Sequence, residues 1–192
     1  MGEDSIRKDE LRRNFLDKRK SLSEVKAELK SKIIVEELTQ LNRFKEAAVI
    51  HSYVSIKKNR EVDTIKFIKR CLETGKKVVV PKMVGEGKLK HIPINSLDDL
   101  EENNLGIPEP DVDNSNPISV KELDLVVVPM VAGDRFKNRI GYGAGYYDRF
   151  LENCSALKVG LLFDCQFFDG KLPVQEFDIP LDILISESRI IE

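Results

Sequence analysis

The chain has 192 residues, 41% hydrophobic and 33% charged, with 31 basic residues against 33 acidic ones and a net charge of −2. This is the composition of a soluble globular protein, too apolar for a disordered chain, and the balanced charge gives no sign of a nucleic-acid or membrane partner. The length favours one domain over residues 1–192 with room for a core. Cys71, Cys154 and Cys165 are widely spaced and form no CxxC, which argues against a disulfide framework or zinc site. Met1 to Glu10 is polar, so no signal peptide is expected. The longest apolar run, Leu125 to Ala132, is broken by Pro129 and is far short of a membrane span. A cytoplasmic protein, monomeric or a weak dimer, is the expectation.

Ile6 to Lys20 reads as a helix, with Ile6, Leu11, Phe15 and Leu16 on one face and charges on the other. Ser21 and Glu24 fit a capping box that opens a second helix, whose apolar positions are Val25, Leu29, Ile33, Leu38 and Leu41. Ala47 to Tyr53 is β-rich. Glu61 to Thr74 reads as a helix with Val62, Ile65, Ile68 and Leu72 inward and Gly75 as its stop. Val78 to Pro81 is a short buried strand, and Lys88 to Ile94 alternates like a hairpin excursion. Leu97 to Pro117, rich in Asp, Asn and Pro, reads as loop. Leu125 to Pro129 is a strand, Tyr146 to Asn153 a helix, and Leu157 to Phe163 and Ile183 to Ser186 are strands. Short unalternated strands between helices predict an α/β fold: a three-layer α/β/α domain with a mostly parallel sheet and an amino-terminal helical pair. Ligands in such folds gather beyond the carboxyl ends of the strands, here near Ser55, Lys82, Met130 and Phe163.

The most informative stretch lies just past one of those ends. Asn138 to Leu151 reads NRIGYGAGYYDRFL. Gly141, Gly143 and Gly145 permit tight or left-handed backbone and leave amides open to a ligand. Feeding a helix, such a loop suits a phosphate, and Asp148 one turn on could hold a metal bound to it. The loop is neither a Walker A motif nor GxGxxG, so a plain structural turn is the alternative. Lys8 and Arg12 share a helix face and could grip phosphates; the alternative is a solvated charged face. Asp148 and Asp178 are candidate magnesium partners, though Asp178 also reads as a turn residue before Pro180. Glu61 could accept hydrogen bonds from a heterocycle or simply complement a helix dipole. The stiff loop Gly106 to Pro110 could wall an apolar slot. His51 and His91 lack a telling partner and read as structural.

These residues together resemble the 5-formyltetrahydrofolate cyclo-ligase family, also called 5,10-methenyltetrahydrofolate synthetases. The family motif RLGYGGGYYDRFL matches Arg139 to Leu151. Lys8 and Arg12 match its amino-terminal Lys-x-x-x-Arg, Glu61-Val62-Asp63-Thr64 its E-x-D-T, Gly106 to Pro110 its GIPEP, and Phe177 to Asp182 its hDxPLD element. The resemblance implies ATP contacts from Lys8, Arg12, Arg139, Ile140, Gly141, Tyr142, Gly143, Ala144, Gly145, Tyr146 and Tyr147. It implies folate contacts from Ile56, Glu61, Glu109, Tyr142, Gly143, Ala144, Gly145 and Tyr146. Asp148 and Asp178 take the magnesium positions, and Arg139, Tyr146 and Asp148 the catalytic ones. Four positions depart from the pattern: Gly133 for Phe, Lys137 for a turn Gly, Ala144 for Gly, and Phe177 for His.

The implied reaction is magnesium- and ATP-dependent closure of 5-formyltetrahydrofolate to 5,10-methenyltetrahydrofolate, with ATP as co-substrate and ADP and phosphate as products. A formamide oxygen leaves poorly until it is phosphorylated; N10 can then attack. Phosphoryl transfer needs positioning and charge stabilisation more than an acid–base triad, which suits cations, a metal and backbone amides. Two rival classes remain at this point. One is a sugar-phosphate isomerase on a related scaffold, which would need no ATP. The other is a folate- or nucleotide-binding protein without turnover.

Overall fold

A computed structural model describes residues 3–85, 87–103, 106–111 and 116–192, with the side chains of residues 3–6, Ile6 among them, outside the described set. Two helices open the chain, α1 (Glu3–Lys20) and α2 (Glu24–Gln40), followed by the short α3 (Asn42–Glu46). Then come β1 (Val49–Ser52), α4 (Ile65–Glu73), β2 (Lys77–Met83) and β3 (Leu89–Ile94). A small antiparallel pair follows, β4 (Leu100–Glu102) with β5 (Pro108–Pro110), and then β6 (Leu125–Val128). The remaining elements are β7 (Ala132–Asp134), β8 (Arg139–Ile140), α5 (Tyr146–Leu151), β9 (Leu157–Leu161), β10 (Phe167–Phe168), β11 (Ile183–Ile185) and β12 (Ile190–Ile191).

The main sheet has seven strands in the order β12-β11-β9-β6-β1-β2-β3. Its inner pairs are parallel, and both edges are closed by antiparallel partners. Strand β6 shows why apolar runs without alternation make such a sheet. All four of its residues are buried, with Leu125 and Val127 in the core beneath α2 and α4, and Val126 and Val128 in the core beneath α5. Both faces of the sheet are therefore covered. A second sheet, β10-β7-β8, packs with α1 around Phe15, Ile140 and Leu172; the sequence reading did not anticipate it.

Several helical expectations shift. Ser23, not Ser21, caps α2, its Oγ accepting from the Lys26 amide at 3.3 Å, while the Ser21 hydroxyl donates to the Lys18 carbonyl at the end of α1. The α2 face turned inward is Ala27, Ser31, Ile34 and Leu38. Val25, Leu29 and Ile33 are instead 67, 60 and 42% exposed. On α1 the expected polarity is partly inverted. Lys8, Phe15 and Arg19 are the buried residues, and the stripe Lys8-Arg12-Phe15-Arg19, at helical spacing, is the one facing the protein. Helix α4 starts at Ile65 rather than Glu61, because Asp63 turns the chain: its Oδ1 accepts from the Ile65 amide at 2.9 Å and its own amide donates to Ser31 Oγ at 3.0 Å. Gly75 ends the helical region with φ +78°, as expected. Of the segment 97–117, residues 104, 105 and 112–115 lie outside the described residues; the rest carries the β4–β5 pair and one short helical turn, Leu97–Asp99, rather than plain loop.

His51 on β1 and His91 on β3 are buried and meet edge to face, their ring centroids 5.2 Å apart, beside Phe150 and Tyr147. Both His51 nitrogens and His91 Nδ1 have no hydrogen-bond partner among the described residues. Burial holds His51 well below the ordinary imidazole range and pushes His91 down to about 4. The unfolded chain therefore binds more protons than the native one below about pH 6.5. Stability falls as pH drops from there towards 4. We expect His51→Leu to flatten that fall at little expense at pH 7.5, since it removes two unsatisfied polar atoms. Urea midpoints at pH 7.5 and pH 5 check this; an unchanged pH slope would contradict it.

Candidate active site

Strand order reverses between β1 and β6: β2 lies on one side of β1, and β9 and β11 continue on the far side of β6. Chains leaving two neighbouring parallel strands in opposite directions open a crevice at their carboxyl ends. A cavity of about 630 Å3 lies there, walled by Tyr53, Val54 and Ile56 after β1, Met83 at the end of β2, and Pro129 after β6.

The glycine loop forms one wall. It is anchored from behind by buried Asp134, whose carboxylate accepts from the amides of Phe136, Asn138 and Leu172 at 2.8–3.0 Å and from the Asn138 side chain at 2.9 Å. The turn it holds puts Lys137 at φ +66°, which explains why a glycine suits that position. Gly133 sits beneath Met130, whose Cε is 2.7 Å from where a Cβ would stand, so the methionine occupies space that a larger side chain there would need. Beyond β8 the loop takes φ +103° at Gly143 and +69° at Gly145. Arg12 lies flat on Gly143, and its Nε donates to the Gly141 carbonyl at 2.8 Å. Helix α5 ends at Leu151, two residues short of the expected Asn153, and Asp148 lies in its first turn.

At this end of the cavity four charges alternate. Arg139 is buried and donates to Asp148 Oδ1 at 2.5 Å. Lys8, also buried, pairs with Asp178. Desolvation pulls Arg139 below its ordinary range, and Asp148 and Asp178 oppose that shift. Asp178 Oδ2 also accepts from the Gln175 amide at 2.7 Å, and Asp148 Oδ1 from the Ile179 amide at 3.4 Å. The other oxygen of each carboxylate has no hydrogen bond among the described residues. Two carboxylates with a free oxygen apiece, facing a cationic pocket, fit a hard divalent cation that keeps waters and binds phosphate.

The cavity also has an apolar wall, with Glu61 beside it. Ile107, Pro108, Pro81, Met83, Leu89 and Ile56 line it. Glu61 Oε2 accepts from the Ile56 amide at 2.7 Å, and Oε1 accepts from the Tyr142 hydroxyl. Because α4 begins only at Ile65, Glu61 lies on an extended segment that faces the cavity, which rules out a helix-start role. Glu109 lines the cavity but is anchored to β2, through the Met83 amide at 3.1 Å and Lys82 at 3.5 Å. Burial, and then Glu61, push the Tyr142 hydroxyl well above the ordinary phenol range; burial does the same to Tyr147.

The structure thus brings Lys8, Arg12, Ile56, Glu61, Glu109, Arg139, Gly141, Tyr142, Gly143, Ala144, Gly145, Tyr146, Tyr147, Asp148 and Asp178 to one cavity. Ile140 alone is elsewhere, fully buried against Phe15 and Leu172 beneath the loop. The sequence reading missed Tyr53, Met83, Pro129 and Gln175, which line the same space. Tyr53 and Pro129 end the strands the sequence predicts and directly follow β1 and β6, where the switch-point rule would have found them.

A model of the 5-formyltetrahydrofolate cyclo-ligase family matches residues 4–187. The chain belongs to this family. The 5-formyltetrahydrofolate cyclo-ligase of Escherichia coli is 36% identical over 137 residues, 69% of this chain and 75% of the relative. A probable cyclo-ligase of Caenorhabditis elegans is 30% identical over 198 residues, 96% of this chain and 94% of the relative. The NMR structure of the Aquifex aeolicus 5,10-methenyltetrahydrofolate synthetase superposes with a TM-score of 0.84 at 34% identity, covering 95% of this chain and 91% of that one. Family membership accounts for the mostly parallel sheet and marks the chain as a ligase. Among the described residues no helix is long and apolar enough to cross a membrane.

Proposed function

We propose that this protein uses ATP to close 5-formyltetrahydrofolate to 5,10-methenyltetrahydrofolate, releasing ADP and phosphate. The observation that carries the reading is one cavity lined by two chemically different groups. Lys8, Arg12, Arg139, Asp148 and Asp178 are one, an apolar wall with Glu61 is the other, and the glycine loop contributes to the same lining. Lys8, Arg12 and the loop hold the triphosphate. Ile56 and the proline-rich wall sandwich the pterin, and Glu61 accepts from its N–H groups. The formyl oxygen then meets the γ-phosphorus in line, a pre-arrangement worth roughly 7–11 kcal/mol in favourable cases.

The formyl oxygen attacks the γ-phosphorus and ADP leaves. The N10 lone pair closes on the activated carbon, N10 gives up its proton, and loss of phosphate yields the methenyl cation. Arg139 stabilises charge on the transferring group, and the enclosed walls keep water from the phosphorylated intermediate. Asp148 and Asp178 would hold magnesium, which would supply charge neutralisation for the phosphates. Tyr146 closes the loop side, its hydroxyl 3.4 Å from the Gly85 carbonyl on the β2–β3 turn.

Mixing pure protein with 5-formyltetrahydrofolate, ATP and magnesium should produce the methenyl chromophore and ADP in equal amounts. Chromophore without ADP would overturn the ligase reading. Binding of both ligands with no chromophore would leave a protein that binds without turnover.

A further inference from the structure

Arg19 is the largest fully buried side chain, 1% exposed, and the roles above do not use it. Its Nη1 reaches the Met130 carbonyl at a long 3.4 Å, and its Nε and Nη2 have no hydrogen-bond partner among the described residues. A buried guanidinium with idle donors is costly, and native structures keep such groups rarely. Arg19 lies under the Tyr142 ring, 5.5 Å from its centroid. It lines a small void with Glu61, Gln166 and Met130, and the void shares Tyr53, Glu61, Pro129 and Tyr142 with the main cavity. Tyr142 and Glu61, which line both spaces, are joined by the hydrogen bond from the Tyr142 hydroxyl. Tyr142 is an exposed residue between Gly141 and Gly143.

Arg19 and Glu61 together present donors beside an acceptor. That order complements a cyclic amide edge with a carbonyl acceptor next to two N–H donors, the edge formed by O4, N3 and the 2-amino group of a pterin. We propose that Arg19 is a specificity-determining residue that donates to pterin O4 while Glu61 accepts from N3–H and the 2-amino group, once the substrate has displaced the Tyr142 hydroxyl from Glu61. The proposal rests on the folate reading of the site and names the atom that reading leaves unrecognised. Binding satisfies the idle guanidinium and replaces one donor to Glu61 by two, so the gain is large only for a 4-oxo heterocycle.

The test compares folic acid, which carries the 4-oxo group, with aminopterin, its 4-amino counterpart, by calorimetric titration of the full chain. The wild type is expected to favour folic acid at least tenfold. Arg19→Leu should reduce that preference severalfold, the remainder coming from the N3–H that Glu61 accepts and aminopterin lacks, and raise the KM for 5-formyltetrahydrofolate at least tenfold while that for ATP stays within twofold. Arg19→Lys, which keeps a charged donor, should retain most of the preference. Equal loss for both ligands in Arg19→Leu, or no preference in the wild type, would overturn the proposal. Should Arg19→Leu fail to fold, Arg19→Met, closer in length, takes its place in the same comparison. Failure of the folate reading itself looks different: the wild type would bind neither folate and form no methenyl chromophore.

Discussion

Asp148→Asn is expected to lower kcat/KM for magnesium-ATP on the order of 100-fold or more, the usual cost of removing one group aimed at developing charge. The same change should lower stability by roughly 1–3 kcal/mol and leave the fold intact. Both effects follow from one geometry. Asp148 Oδ1 holds the buried Arg139 guanidinium, and Oδ2 is free for a cation. Asparagine keeps an oxygen for Arg139, so the guanidinium still has an acceptor, and Asp178 still contributes to its field. What asparagine cannot supply is the negative charge that draws a divalent cation. The deficit should therefore shrink as magnesium is raised, whereas a purely structural loss would not respond to magnesium. Steady-state rates across a magnesium titration, with urea unfolding in parallel, separate the two. Unchanged turnover at limiting magnesium would remove Asp148 from the metal site.

Asp148 was legible in the sequence because its surroundings are local. Arg139, the three glycines and Asp148 lie within ten residues, and a strand–loop–helix pattern orients them without help from distant chain. The parallel sheet was legible for a similar reason: a run such as Leu125 to Val128, apolar on every residue, has few other places to go. What was not legible depends on which way a helix is turned. On α1 the charges by themselves leave a solvated face or a phosphate grip open for Lys8 and Arg12, and only the family resemblance chose between them; Arg19 was missed altogether, and it is fully buried. On α2 the larger residues Val25, Leu29 and Ile33 read as the core face, and the smaller Ala27 and Ser31 hold it instead. Size favours neither face by itself; close approach of α2 to the segment at Asp63, through Ser31, decides the rotation. Glu61 escaped a correct local reading because Asp63, two residues on, starts the turn into the helix. The rotation of α2 is a long-range fact, and periodicity carries only short-range ones.

Glu61→Gln is expected to raise the KM for 5-formyltetrahydrofolate about 30–1000-fold, equivalent to roughly 2–4 kcal/mol, with the KM for ATP changed less than threefold. The carboxylate is an acceptor on both oxygens, and a pterin edge offers donors. Glutamine turns one of those acceptors into a donor that faces N–H groups, so an interaction is lost and a repulsion is added. Its amide oxygen can still take the Ile56 amide, now at 2.7 Å from Oε2, so the segment after β1 should keep its path. Lys8, Arg12, Arg139, Asp148 and Asp178 have no hydrogen bond to Glu61 among the described residues, which is why the two KM values should separate. An equal rise in both would instead mean that Glu61 acts by holding the cavity's shape. The variant also bears on Arg19. With Glu61 neutral, the buried guanidinium loses its neighbouring negative charge, and stability should drop further than the loss of one hydrogen bond explains. In Arg19→Leu/Glu61→Gln, that extra loss should disappear, because no unbalanced charge remains in the void.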